Sequence, residues 1–231
     1  NDGTLLAAFR ERGCRTLGVD PAVNFATCNY PLVGAYWSSA VAARDDIQGR
    51  VDVLTATNVL GHVDDVHDFM KAVCIALAPD GQFVVEMPYV WDMLESLTFD
   101  TVYHEHLSYW SLTALKHLAD QHGLVVRDVR QFPVHGGSLR VTLTKSGRPS
   151  DNVARLLVAE HHDLRRGSYM RFSERVSARM AELNKKLVAL AYKDYVGFGA
   201  AAKTTVLLNC MDMRAWPHVV YDEAPSKQGK L

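Results

Sequence analysis

The sequence predicts an α/β fold: a doubly wound, mostly parallel sheet closed by an antiparallel hairpin, then a helical linker and the start of a second α/β unit. Three observations predict it. Short apolar strand patterns alternate with helical patterns as far as residue 144. Two runs of strand period, 124–130 and 138–144, follow one another with no helix between them, as in a wide antiparallel pair. A polar Gly/Pro/Ser break at 145–152 precedes a stretch in which Phe172, Val176, Met180, Leu183, Leu187 and Leu190 recur at helical spacing.

Composition narrows the class. The chain has 231 residues, 48% of them hydrophobic, enough to bury a sizeable core. Its formal net charge is −1 and no block of like charge stands out, which argues against nucleic acid or an anionic membrane as the main partner. Ten histidines mildly favour acid/base chemistry. Cys14, Cys28, Cys74 and Cys210 are scattered and form no CxxC, so neither a disulfide scaffold nor a zinc ribbon is expected, and a reducing cytoplasm fits. There is no signal peptide and no 18-residue apolar run, which points to a soluble protein with no membrane partner. Asn1-Asp2-Gly3 runs straight into a helical pattern and the chain stops at Lys230-Leu231, which reads as a fragment of a longer protein. Nothing in the sequence indicates an oligomeric state.

In order, residues 4–12 read as a helix with Leu5, Leu6 and Phe9 on one face, entered through Asp2-Gly3 and closed by Gly13. Residues 15–19 read as a strand ending in Asp20-Pro21. An acidic residue at the carboxyl end of the second strand of a doubly wound sheet accepts ribose hydroxyls of an adenosine; a turn cap before Pro21 fits equally well. Residues 22–50 are weakly patterned, read as a helix, a short strand near 33–36 and another helix. Residues 51–56 are a clear buried strand running on into Asn58 and His62. Polar groups just past a parallel strand face the ligand crevice, which makes both site candidates, although a lone His there also serves as a structural residue. An amphipathic helix at 64–77 is followed by a turn at 78–81 and a strand at 82–86. A helix at 112–122 ends at Gly123.

The chemistry concentrates in Tyr103-His104-Glu105-His106-Leu107-Ser108-Tyr109, which holds two imidazoles, a carboxylate and two phenols. Such groups exchange protons near neutral pH. The stretch reads as a solvated aromatic loop, a metal site or a catalytic cluster. His104 and His106 project to one side of an extended segment, but no Cys or third His lies at ligand spacing, so no metal is expected. Near the carboxyl end, Gly197-Phe198-Gly199-Ala200-Ala201-Ala202-Lys203 has the shape of a strand, a Gly-rich turn and a helix start. Gly197 and Gly199 let backbone N–H groups approach a phosphate and Lys203 adds a charge; a plain βα turn fits as well. With a second short strand at 218–222, this reads as an incomplete Rossmann-like unit.

A parallel α/β sheet finished by an antiparallel hairpin is the architecture of S-adenosylmethionine-dependent methyltransferases. In that frame the chain resembles, over nearly its whole length, the sugar C-methyltransferases that act on nucleotide-linked ketosugars in deoxysugar biosynthesis. The resemblance rests on Phe99-Asp100-Thr101-Val102-Tyr103-His104-Glu105-His106-Leu107-Ser108-Tyr109 and on Pro133-Val134-His135-Gly136-Gly137-Ser138-Leu139-Arg140. Asn58-Val59-Leu60-Gly61-His62-Val63, the Gly197 to Lys203 block and Lys227-Gln228-Gly229 also match. Family members carry an N-terminal cysteine-rich zinc module, a class I methyltransferase domain and a C-terminal Rossmann-like domain that helps hold the sugar nucleotide. Here the zinc module, the first strand of the sheet and most of the last domain have no counterpart, and Thr204-Thr205 stand where the family usually has Gly-Asn. The expected division is a methyltransferase domain at 1–148, a helical linker at 149–192 and the start of the C-terminal domain at 193–231.

The resemblance implies S-adenosyl-L-methionine as cofactor, contacted by Asp2, Gly3, Asp20 and Asn58. It implies methylation of the carbon beside the ketone of a nucleotide-linked 4-keto-deoxyhexose, at C3, through an enolate. His106 is the base, Tyr103 and His62 donate to the enolate oxygen, and Glu105 orients the base or the sugar hydroxyls. His104, His135 and Lys203 are substrate-side candidates. The alternatives are a C5-methylating relative, a sugar-nucleotide-binding module without catalysis, and a nicotinamide enzyme, which the lack of a complete GxGxxG disfavours.

Overall fold

The computed structural model describes residues 3–22, 30–134, 136–190 and 195–229. Of the expected site residues, Asp2 and His135 lie outside them. Helix α1 (Thr4–Arg10) leads to β1 (Gly18–Val19), which pairs in parallel with β2 (Leu32–Val33). After the four-residue helix α2 (Ser39–Ala42), the second sheet begins with β3 (Val51–Thr57). Helix α3 (Val66–Ala76) crosses from it to β4 (Leu77–Pro88), which runs parallel to β3. Asp65 starts α3 by accepting the N–H groups of His67 and Asp68. Two helices follow, α4 (Val90–Ser96) and α5 (Leu112–Gln121), and then the hairpin of β5 (Val125–Phe132) and β6 (Ser138–Thr144).

The sheet order is β3-β4-β6-β5, with β6 antiparallel to both neighbours. Strand period explains the register. Phe83, Val85 and Met87 of β4 stand opposite Leu143, Val141 and Leu139 of β6, all six fully buried. Phe69, Met70 and Val73 of α3 and Leu112, Leu115 and Leu118 of α5 complete this core. Among the described residues, no strand pairs with the outer edge of β3, where Val53 stays 39% exposed.

One expected turn is absorbed into a strand. Residues 78–81 belong to β4, and the extra length is taken up as an irregularity in the ladder: Val51 pairs with Leu77, but Val53 pairs with Gln82. The approach is close enough that a Cβ on Gly81 would lie 2.5 Å from the Val51 carbonyl oxygen, so the Pro79-Asp80-Gly81 signal marks a bulge and not an exit from the sheet.

Beyond the hairpin, α6 (Asp151–Asp163) and the 25-residue α7 (Arg166–Leu190) pack back on the sheet and on α4 and α5. A third pair of parallel strands, β7 (Gly197–Phe198) and β8 (Val220–Tyr221), flanks α8 (Ala202–Asn209). Helix α8 packs against the short 3-10 turn Phe99–Thr101. Helix α8 therefore adjoins the stretch that carries the histidines.

Candidate active site

The segment 97–111 joins α4 to α5 at the carboxyl end of β4. It leaves α4 at Leu97, which takes the left-handed conformation at φ 54°. It returns through Trp110, which bridges to Tyr89 and accepts the Val90 N–H at 3.0 Å. Ser111 then caps α5 by accepting the Ala114 N–H.

Within the segment, Tyr103 to His106 is a tight turn closed by His106 N–H to the Tyr103 carbonyl at 2.9 Å. This corrects the extended geometry expected for the stretch. A turn brings the first and fourth side chains together, and the Tyr103 and His106 rings lie 4.2 Å apart. His104 and Glu105, at the turn's middle, are exposed. Their side chains make no described hydrogen bond to His106.

Hydrogen bonding fixes the tautomers of two imidazoles. His106 Nδ1 donates to the Thr101 carbonyl at 2.7 Å, and His62 Nδ1 donates to the Glu105 carbonyl at 2.7 Å. A carbonyl oxygen only accepts, so each Nδ1 carries a proton and each neutral ring keeps its lone pair on Nε2. The two rings meet edge to face at 4.8 Å, so the stretch after β3 and the loop after α4 form one cluster. The buried Thr101 carbonyl is its hub. It also accepts the Tyr109 hydroxyl at 3.1 Å and the Tyr103 N–H at 3.2 Å. Sequence reading missed Thr101 because a backbone carbonyl carries no residue signature. Thr101 and Tyr109 also line a small cleft with Tyr89, Met93 and Gly137.

Burial first, then the negative charges of Glu105 and Asp100, push the Tyr103 phenol above its ordinary range; burial does the same for Tyr109. A raised value means the proton is kept to higher pH, so both phenols are hydrogen-bond donors throughout the neutral range. Any alkaline loss of rate owed to Tyr103 is expected above about pH 10. Glu105→Gln is expected to move that limb downward, and a pH–rate profile unmoved by the substitution would contradict the assignment.

The remaining candidates lie along strand ends. Asn58, just past β3, has φ 54°, donates its N–H to the Glu86 carbonyl at 2.8 Å, and holds a buried side-chain oxygen with no described partner. Strained backbone and unpaired buried acceptors cluster at functional sites. Asp20 closes the turn after β1 by accepting the Ala22 N–H at 2.8 Å. Gly3 caps α1 at φ 81°. At the C-terminal turn, Gly197 N–H is bound to the Val219 carbonyl, Gly199 N–H to the Tyr221 carbonyl and Ala200 N–H to the Asp222 carboxylate, so the two glycine amides expected to approach a phosphate are committed within the chain. Lys203 is exposed at the start of α8. Among the described residues, no group of three or more His, Cys, Asp or Glu side chains is placed to hold a metal ion. No helix among them is long and apolar enough to cross a membrane.

The family profile described as "Methyltransferase domain" matches residues 1–129, more than half of the chain. The chain belongs to the methyltransferase family. Residues 133–231 match a second profile, "C-methyltransferase C-terminal domain". It is 35% identical over 223 residues to the C-methyltransferase NovU of Streptomyces niveus, a match that covers 90% of this chain and 52% of NovU. The chain thus spans about half the length of that relative. Among solved structures, PH0226 of Pyrococcus horikoshii OT3 superposes with a TM-score of 0.51 at 13% identity, over 62% of this chain and 77% of the other. A chain from the complex of the Haloferax volcanii Trm112 methyltransferase activator gives 0.51 at 15% identity, over 63% and 79%. These likenesses establish the class I methyltransferase fold.

The methyltransferase's cofactor is S-adenosyl-L-methionine, and the unpaired oxygen of Asn58 fits a molecule with amino and hydroxyl donors. Asn58→Gly, which tolerates the left-handed backbone, is expected to weaken S-adenosylhomocysteine binding about tenfold, the worth of one buried hydrogen bond. A calorimetric titration checks this; an unchanged affinity would remove Asn58 from the cofactor site.

Proposed function

We propose that this methyltransferase transfers a methyl group to the carbon beside the ketone of a nucleotide-linked 4-keto-deoxyhexose, with C3 as the acceptor. The carrying observation is the Thr101–His106 bond, which leaves a lone pair on His106 Nε2. S-adenosyl-L-methionine, when bound, supplies an electrophilic methyl on a positive sulfonium. The chain's own task is to make the sugar carbon a nucleophile.

His106 Nε2 takes the proton from the carbon beside the carbonyl. The electron pair left behind spreads onto the ketone oxygen, giving an enolate. That oxygen needs a donor, and the Tyr103 hydroxyl, held protonated and beside His106, serves. His62 shares the cluster, but its neutral ring has only an acceptor at Nε2 and donates there only as the imidazolium. Glu105 and His104, exposed on the turn, are placed for sugar hydroxyls. His135 and Lys203, the latter at the start of α8, are further substrate-side candidates.

The sugar rests on the motif blocks, from the Tyr103 to His106 stretch to the Gly197 to Lys203 turn, and on α8 adjoining the active-site loop. Methylation at carbon is supported by the match to the C-methyltransferase C-terminal domain and by the likeness to NovU. In this reading, residues 1–148 bind the cofactor, 149–192 link, and 193–231 begin a unit that holds the nucleotide. The test is incubation with S-adenosyl-L-methionine carrying a labelled methyl and nucleotide-linked 4-keto-6-deoxyhexoses. Label fixed on a sugar carbon is expected. Label on oxygen or nitrogen, or none on any ketosugar while controls lacking the 4-ketone react, would overturn the reading.

A further inference from the structure

We propose that Glu160 of α6 and Arg175 of α7 are positioning residues that clamp the two ends of the active-site segment and thereby set the orientation of His106. The proposal rests on the reading of His106 as the base.

Glu160 is 2% exposed in a helix whose other residues read as linker. Its carboxylate accepts the Leu112 N–H at 2.6 Å, the Thr113 N–H at 2.7 Å, the Thr113 hydroxyl at 2.5 Å and the Tyr89 hydroxyl at 2.9 Å. Four donors aimed at two oxygens describe an ionised carboxylate. It sits on the positive end of α5, directly where the active-site segment ends, and also holds Tyr89, which bridges to Trp110 of that segment.

Arg175 does the converse at the other end. Its guanidinium donates to the Leu94 carbonyl at 3.4 Å and the Glu95 carbonyl at 3.0 Å, in the last turn of α4, where the helix dipole is negative. An anion thus holds the helix that follows the segment, and a cation holds the helix that precedes it.

From the α4 end, hydrogen bonds lead to the imidazole. Thr98 N–H binds the Met93 carbonyl, Thr101 N–H and hydroxyl bind the Thr98 carbonyl, and the Thr101 carbonyl holds His106 Nδ1. Loosening Arg175 frees the first of these turns, and loosening Glu160 frees the return through Trp110. A base displaced by about an ångström loses on the order of a hundredfold in rate.

The experiment uses the whole chain and the variants E160Q, R175A and R175K. Glu160→Gln keeps the volume but turns an N–H donor group toward other donors. Arg175 is exposed, so Arg175→Ala tests the clamp even where E160Q does not fold. Turnover is expected to fall about tenfold in R175A and about a hundredfold in E160Q. KM and S-adenosylhomocysteine affinity are expected to stay within about twofold, because an orienting defect acts on kcat. R175K, which keeps charge but not the two-pronged geometry, is expected to recover part of the loss. The His106 ring is read separately by nitrogen NMR, where the protonated Nδ1 signal is expected to shift in R175A. Wild-type turnover and an unshifted His106 ring in folded R175A would overturn the proposal. A wild-type chain that methylates no sugar would sink the proposed function instead, and the ring signal would then decide the clamp by itself.

Discussion

His106→Asn is expected to lower methyl transfer by about 10²- to 10⁴-fold, the range for removing a positioned general base. The substitution is chosen for what it keeps. An asparagine side chain has an N–H₂ that can still donate to the Thr101 carbonyl, which now receives His106 Nδ1 at 2.7 Å. It has no basic nitrogen to take the place of Nε2. The turn at 103–106, closed through the backbone, stays intact. The proposed cofactor contacts at Gly3, Asp20 and Asn58 belong to other segments, so S-adenosylhomocysteine affinity is expected to match the parent chain. Steady-state turnover with calorimetry on the same preparation checks both halves. Turnover near the parent's would remove His106 as the base, and a parallel loss of cofactor affinity would recast it as structural.

Gly137→Ala is expected to cost about 2–6 kcal/mol, combining backbone strain with overpacking. Gly137 has φ +116°, a conformation that side chains rarely adopt, and a Cβ there would lie 2.2 Å from the Asp92 Cβ and 2.3 Å from its Oδ2. Asp92 cannot easily withdraw, since it lies on α4, in the turn that follows Tyr89, and the Gly137 carbonyl accepts the Tyr89 N–H at 3.1 Å. The neighbouring Gly136 is the control. Its φ is +88°, but a Cβ there would meet the Thr98 side chain no closer than its methyl at 3.2 Å, so Gly136→Ala is expected to lose less. For a chain of this size each kcal/mol moves the melting temperature by about 2–4 °C. Thermal unfolding of the two variants decides the matter; a Gly137→Ala protein that melts with the parent would contradict the described packing.

Periodicity made the sheet legible. The β6 residues Leu139, Val141 and Leu143 alternate in sequence and face Met87, Val85 and Phe83 in register. Asn58 and His62 stand out in the sequence as polar residues just past a parallel strand, the side on which the ligand crevice of such sheets lies. What stayed hidden depends on tertiary pairing. The turn at 103–106 has no Gly or Pro to announce it, so the pattern puts His104 and His106 on one side, whereas Tyr103 and His106 are the pair that meets. The Gly81 signal meant a bulge, because β3 continues to pair on both sides of it. Glu160 looks like any acidic residue of a helical linker; only the fold shows that four donors converge on it.

Solvent-deuterium exchange tests the central claim most directly. The parent chain and His106→Asn are incubated in heavy water with S-adenosylhomocysteine and a nucleotide-linked 4-keto-6-deoxyhexose, and the sugar C–H signals are followed by NMR. With no methyl to transfer, proton removal and return are read alone. The account predicts exchange at the carbon beside the ketone in the parent chain and background exchange in the variant. Equal enzymatic exchange in both, with both folded and binding cofactor, would contradict it.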